Sequence, residues 1–79
     1  MDFESIVYFL RAGELQSLTK AAQDLYTTQP TLSRRILALE DELGVELLKR
    51  TNMGISLTEA GKVFFNEEKI LIAAQEKLV

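Results

Sequence analysis

Between Thr28 and Leu43 the chain reads TQPTLSRRILALEDEL, with leucine or isoleucine at 32, 36, 39 and 43. Steps of four, three and four follow the period of a helix and put these side chains on one stripe. A chain of 79 residues has room for one small domain with one modest core, so the other elements must pack on that stripe. Thr28 predicts an N-cap, with Pro30 in the first turn, where its missing N–H costs nothing. Gly44 predicts a left-handed stop. Off the stripe, Gln29, Pro30, Thr31, Ser33, Arg34 and Arg35 crowd the first two turns. Glu40, Asp41 and Glu42 close the helix and are expected on a solvated face.

The preceding segments supply partners for the stripe. Asp2 is an N-cap with Glu4 in the first turn to suit the helix dipole. Phe3, Ile6, Val7 and Leu10 then make an apolar face with Phe9 beside it, and Gly13 is expected to end this helix. Glu14 to Gln16 reads as a connector. Ser17 predicts the cap of a short helix over 18–25, whose Ala21 and Ala22 let another helix cross closely. Ser17, Thr19 and Lys20 at its start offer free N–H groups and positive charge, which favour a phosphate.

After Gly44 the pattern changes. Leu47-Leu48 and Ile55-Ser56-Leu57 are strand-like, and Lys49 to Gly54 is a polar tip with a turn glycine. Thr58 caps a last helix from Glu59 to nearly the end. Gly61 in its first turn costs ~1 kcal/mol relative to alanine, which a close backbone approach would explain. Ala60, Val63 and Phe64 are expected to face the core. Phe65, Ile70, Leu71, Ile72, Ala73, Ala74 and Leu78 cover more than one side, more than so small a domain can bury. A second copy of the same helix is the simplest partner.

Composition removes whole classes of function. Without cysteine or histidine there is no disulfide framework or thiolate chemistry, and no carboxylate cluster suggests a metal. No nucleophile with a base, phosphate loop or paired carboxylates is evident, so neither an enzyme nor a cofactor is expected. The longest apolar run falls far short of a membrane span, and the acidic start MDFES is unlike a signal peptide. A soluble cytoplasmic protein is expected.

The net charge is −3, but its distribution matters more. Residues 25–39 and 47–58 carry Arg34, Arg35, Lys49 and Arg50 and no acid, so these segments hold +4 against −7 elsewhere. An acid-free helix start with hydrogen-bonding residues, apolar backing and a basic hairpin after it predicts a helix inserted into the major groove of double-stranded DNA. The hairpin would act as a wing along the backbone or minor groove. The alternative is a winged-helix protein–protein interaction module. It suits the acidic total, but Arg34 and Arg35 stand where a protein interface would carry larger apolar anchors.

The order and spacing of these pieces resemble the N-terminal domain of LysR-type bacterial transcriptional regulators. The pieces are Tyr8-Phe9, Ser17-Leu18-Thr19-Lys20-Ala21-Ala22, Gln29-Pro30-Thr31-Leu32-Ser33-Arg34, Leu39-Glu40, Leu43-Gly44-Val45, Leu47, Arg50-Thr51 and Leu57-Thr58-Glu59-Ala60-Gly61. The resemblance covers essentially the whole chain. It implies a mainly α fold: a winged helix-turn-helix over residues 1–58, with a three-helix core and two-stranded wing, then a linker or dimerisation helix over 59–79. It also implies an effector-binding domain for a small molecule that this chain lacks.

The resemblance further implies that Gln29, Pro30, Thr31 and Ser33 face the groove. There a glutamine can pair with adenine and a threonine methyl can meet a thymine methyl. Arg34 falls at the family's strongest DNA-contacting position, Arg35 at a variable one, and Thr28 keeps the hydroxyl of the usual serine. Ser17 and Lys20 complete the expected contacts at the second helix. The chain departs from the pattern at Thr27, usually apolar, at Gln16, often glycine, and at Met53 and Ser56, often basic. These departures speak against minor-groove reading by the wing and leave Arg50 and Asn52 to contact only the backbone. Phe65, Ile70, Leu71, Ala74 and Leu78 are the expected homodimer contacts, and a dimer would read an inverted repeat.

Overall fold

The computed structural model describes residues 1–77. Among these, four helices and one hairpin follow in the order α1 (Phe3–Leu15), α2 (Leu18–Asp24), α3 (Gln29–Leu43), β1 (Leu48–Thr51), β2 (Gly54–Leu57) and α4 (Glu59–Lys77). Each of the first three helices starts where a side-chain oxygen takes an otherwise unpaired backbone N–H. Asp2 accepts from Ser5 at 2.8 Å, Ser17 from Lys20 at 3.1 Å and Thr28 from Thr31 at 3.3 Å.

The stripe on α3 sits at the centre. Leu32, Ile36 and Leu39 are buried with Phe9 of α1, Ala21 and Ala22 of α2, and Leu47 and Leu48 at the wing's root. Leu43, the fourth expected member, lies at the exposed end of α3. Gly44 ends the helix at φ +73, as a left-handed stop requires.

Helix α1 runs through Gly13 rather than stopping there. A side chain at 13 would come within 3.0 Å of the Phe65 ring, so this glycine serves packing. The left-handed cap falls instead on Gln16, at φ 53, a conformation that costs a residue with a Cβ about 1–2 kcal/mol.

The wing is an antiparallel hairpin pairing Leu48 with Leu57, Lys49 with Ser56, Arg50 with Ile55 and Thr51 with Gly54. Its strands are longer at the tip than the sequence pattern implied, so the turn shrinks to Asn52 and Met53. Its root is tied to α4. Thr58 donates its N–H to the Leu47 carbonyl at 3.0 Å, and its hydroxyl bonds the Glu46 carbonyl and takes the Gly61 N–H. A Cβ on Gly61 would lie 2.1 Å from the Leu47 carbonyl oxygen. The close approach expected at Gly61 is therefore present, against the residue just before β1.

That contact sets the rotation of α4. With Gly61 inward, Phe64, Phe65, Glu68 and Ile72 follow at helical spacing on the same side. Phe9 meets Phe64 at 5.6 Å between ring centroids and Phe65 edge-on at 6.3 Å. Two expectations are corrected here. Val63, assigned to the core, is 59% exposed, and Phe65, assigned to the pairing face, packs inside its own domain. Ile70 and Leu71 stay uncovered, at 70% and 59% exposure, and Ala74 is exposed beside them. Leu78 lies outside the described residues.

Candidate nucleic-acid interface

The start of α2, the start of α3 and the wing meet around one open depression of about 620 Å³. Ser17, Thr19 and Lys20 line one side, Gln29 stands at the α3 side, and Arg50, Thr51 and Met53 line the wing side. Distant sequence segments thus converge, because α2 and α3 pack together, with Ala21 and Ala22 buried in the core, while the hairpin folds back beside them.

Along the first turns of α3, hydroxyls form a local chain. Thr28 donates to the Thr31 hydroxyl at 2.9 Å, and Arg34 reaches that same oxygen at 3.5 Å. Pro30 and Arg34 are exposed, while Gln29, Thr31 and Ser33 are half-buried with polar atoms near the surface. No acid shares this surface from Leu25 to Leu39. Arg34 has no ion pair among the described residues, so its charge is available to an incoming anion.

Arg50 is held in place. Its guanidinium donates to Ser33 at 3.1 Å and lies 3.8 Å from Glu40. Glu40 itself is 8% exposed and accepts the backbone N–H groups of Leu47, at 2.6 Å, and Leu48, at 3.1 Å. One carboxylate thereby fixes the wing's root to α3 and faces the arginine next to it. Two bonds to backbone N–H groups compensate for the burial of such a group. The acidic end of α3 was expected to be solvated throughout. Asp41 and Glu42 are exposed, but Glu40 is a structural clamp.

Over residues 3–62 the sequence matches the family of bacterial regulatory helix-turn-helix proteins described as the lysR family. The chain belongs to the lysR family. It is 38% identical over 77 residues to the HTH-type transcriptional regulator TfdT of Cupriavidus pinatubonensis, covering 98% of this chain and 34% of that one. It is 36% identical over 77 residues to the nitrogen assimilation regulatory protein nac of Escherichia coli, covering 98% of this chain and 25% of that protein. The chain thus spans about a quarter to a third of the length of these curated relatives. Among solved structures, it superposes on the BenM DNA-binding domain in its catB site 1 DNA complex with a TM-score of 0.95 at 37% identity, over 99% of this chain and 87% of that one. Full-length CbnR complexed with its target DNA gives 0.87 at 38% identity, over 98% of this chain and 27% of that one.

Within this lysR-family chain the two adjacent arginines of α3 have different surroundings. Arg34 points to the acid-free side. Arg35 pairs with Asp2, the cap of α1, at 3.3 Å and with Glu4 in its first turn at 2.8 Å. A turn of about 100° between neighbouring residues accounts for the split. The hydrogen bonds from Ser5, together with Arg35 and the N-terminal ammonium, hold the Asp2 carboxyl below its ordinary value of 3.8. Asn52 sits at the wing tip, exposed like its neighbour Met53. The roles of Glu40 and Gln16 were missed in the sequence. A signal for Glu40 existed, since it lies four residues after Ile36 and next to Leu39, on the inner flank of the stripe. No helix among the described residues is long and apolar enough to cross a membrane.

Proposed function

We propose that this chain binds double-stranded DNA sequence-specifically as the DNA-reading part of a bacterial transcriptional regulator acting in the cytoplasm. The first half of α3 enters the major groove. Gln29, Pro30, Thr31 and Ser33 face base edges, and Arg34 takes a phosphate or a guanine. Ser17 and Lys20 at the start of α2, and Arg50 and Asn52 on the wing, follow the backbone on either side. Thr28 contributes its hydroxyl near the groove, and Arg35 adjusts preference where it can leave its acidic partners. The observation that carries this reading is the acid-free, exposed start of α3, framed by Lys20 and Arg50 around one depression. The likeness to the BenM and CbnR DNA complexes supports it.

Residues 1–58 form the reading unit, and the segment 59–79, with α4 in it, pairs two copies on an inverted repeat. Ile70, Leu71 and Ala74 supply the exposed contacts of that pairing. Each neutralised phosphate contributes a salt slope of about −0.9, so the few cations available give one copy weak, salt-sensitive binding. Two linked copies gain through effective concentration. A small-molecule effector belongs to the part of the relatives' length that this chain does not span.

Replacing Arg34 by alanine is expected to weaken binding to every duplex, by roughly tenfold or more. Replacing Gln29 by alanine is expected to relax preference at one position of the half-site. Competition binding against specific and random duplexes separates the two. Equal losses on both kinds of DNA for both variants would contradict this division of roles.

A further inference from the structure

The wing tip carries an apolar side chain in an unusual setting. Met53 is 97% exposed, yet its backbone is well braced. Thr51 Oγ1 accepts the Met53 N–H at 3.2 Å and donates to the Gly54 carbonyl at 3.2 Å, closing the two-residue turn. The hairpin below is fastened at two heights, by Glu40 to the N–H groups of Leu47 and Leu48 and by Arg50 to Ser33. The tip therefore keeps a fixed offset from α3. Met53 also lines the wing side of the depression that holds Gln29, Lys20 and Arg50. A strand backbone seated there would bring the tip to the groove beyond it.

We infer that Met53 is a specificity-determining residue that reads the minor groove flanking the half-site by apolar contact rather than by charge. This rests on the DNA-binding reading above. A thioether donates no hydrogen bond and accepts only weakly, so it has little to offer a phosphate. The minor groove has apolar sugar walls, and methionine is among the side chains that pack into it or wedge at a base step. Lys49 and Arg50 supply the wing's charge lower on β1, leaving the tip to sense groove shape. Such a contact favours flanks that deform easily, pyrimidine–purine steps above all.

The test uses the 79-residue chain with two variants, M53A and M53R, whose unfolding should match the parent because the side chain packs on nothing. Binding is measured on duplexes with the selected half-sites fixed and the flanks randomised, together with a salt titration on one duplex. M53A is expected to flatten the flank preference and weaken binding to preferred flanks about fivefold, with the salt slope unchanged. M53R is expected to steepen the slope by about 0.9. An M53A variant with the parental flank profile and affinity, or an M53R variant with the parental slope, overturns the inference. If the parent selects a motif while either of those results is found, only the role of Met53 fails. If the folded parent binds no duplex at low salt, the DNA-binding reading fails with it.

Discussion

The first two turns of α3 and the outer face of α4 differ in what they leave for another molecule to cover. The α3 surface offers hydroxyls, an amide and the Arg34 guanidinium, all backed by the fully buried Leu32 and Ile36. The α4 surface offers Val63, Ile70, Leu71 and Ala74, while Phe64, Phe65 and Ile72 on its inner side are already used. A polar, cationic surface without acids suits an anionic partner. Uncovered aliphatic side chains at helical spacing suit another apolar face. Function on the first surface depends on how rigidly α3 and the wing are joined, and function on the second depends on the rotation that Gly61 imposes on α4.

The largest effect should come from disturbing that rotation. Gly61→Ala places a Cβ against the Leu47 carbonyl and is expected to destabilise the chain by about 3 kcal/mol in urea unfolding. Helix propensity alone would make the same change stabilising by ~1 kcal/mol, so the sign decides whether α4 is docked as described. Removing the clamp comes next. Glu40→Ala strands two backbone N–H groups at the wing's root and should cost about 2 kcal/mol. Glu40→Gln keeps an acceptor and should cost less. Equal losses from the two would show that the acceptor is not what matters.

Breaking the apolar surface should leave folding alone. Ile70→Glu is expected to weaken self-association at least tenfold, or about 1.4 kcal/mol, in sedimentation equilibrium. Unchanged association would remove α4's outer face as the pairing surface. The smallest effect concerns Asp2. Its lowered pKa means that the folded state favours the ionised carboxylate, so this stabilising contribution is present above 3.8 and is lost as pH falls through the still lower folded value. Asp2→Asn keeps a cap but cannot ionise. The parent and this variant should therefore differ in thermal stability near neutrality and converge only once the pH has fallen below that lower folded value. A gap that persists there would mean the carboxylate charge contributes nothing.

The sequence made much of this legible, for local reasons. Caps at Asp2, Ser17 and Thr28 need only a short polar side chain before an apolar period, and the structure has all three. The buried stripe Leu32, Ile36 and Leu39 follows from spacing, and the close approach at Gly61 from an otherwise costly glycine. What escaped depends on contacts between distant segments. Whether Val63 or Phe65 turns inward is undecided by a helix apolar on several sides. It follows once Gly61 is known to face Leu47, since 64, 65, 68 and 72 then share its side. Glu40 resembles its solvated neighbours Asp41 and Glu42 until the wing's root delivers two N–H groups to it. Gln16 looks like part of a linker because its left-handed cap conformation belongs more often to glycine.

If the surface around α3 reads a DNA sequence and two copies do so together, selecting bound duplexes from a random pool with the chain itself, then titrating salt on the recovered site, should reveal both. The expected result is a two-fold symmetric motif whose affinity falls steeply with salt. A folded chain that binds no duplex at low salt, or that binds all duplexes alike, would contradict it.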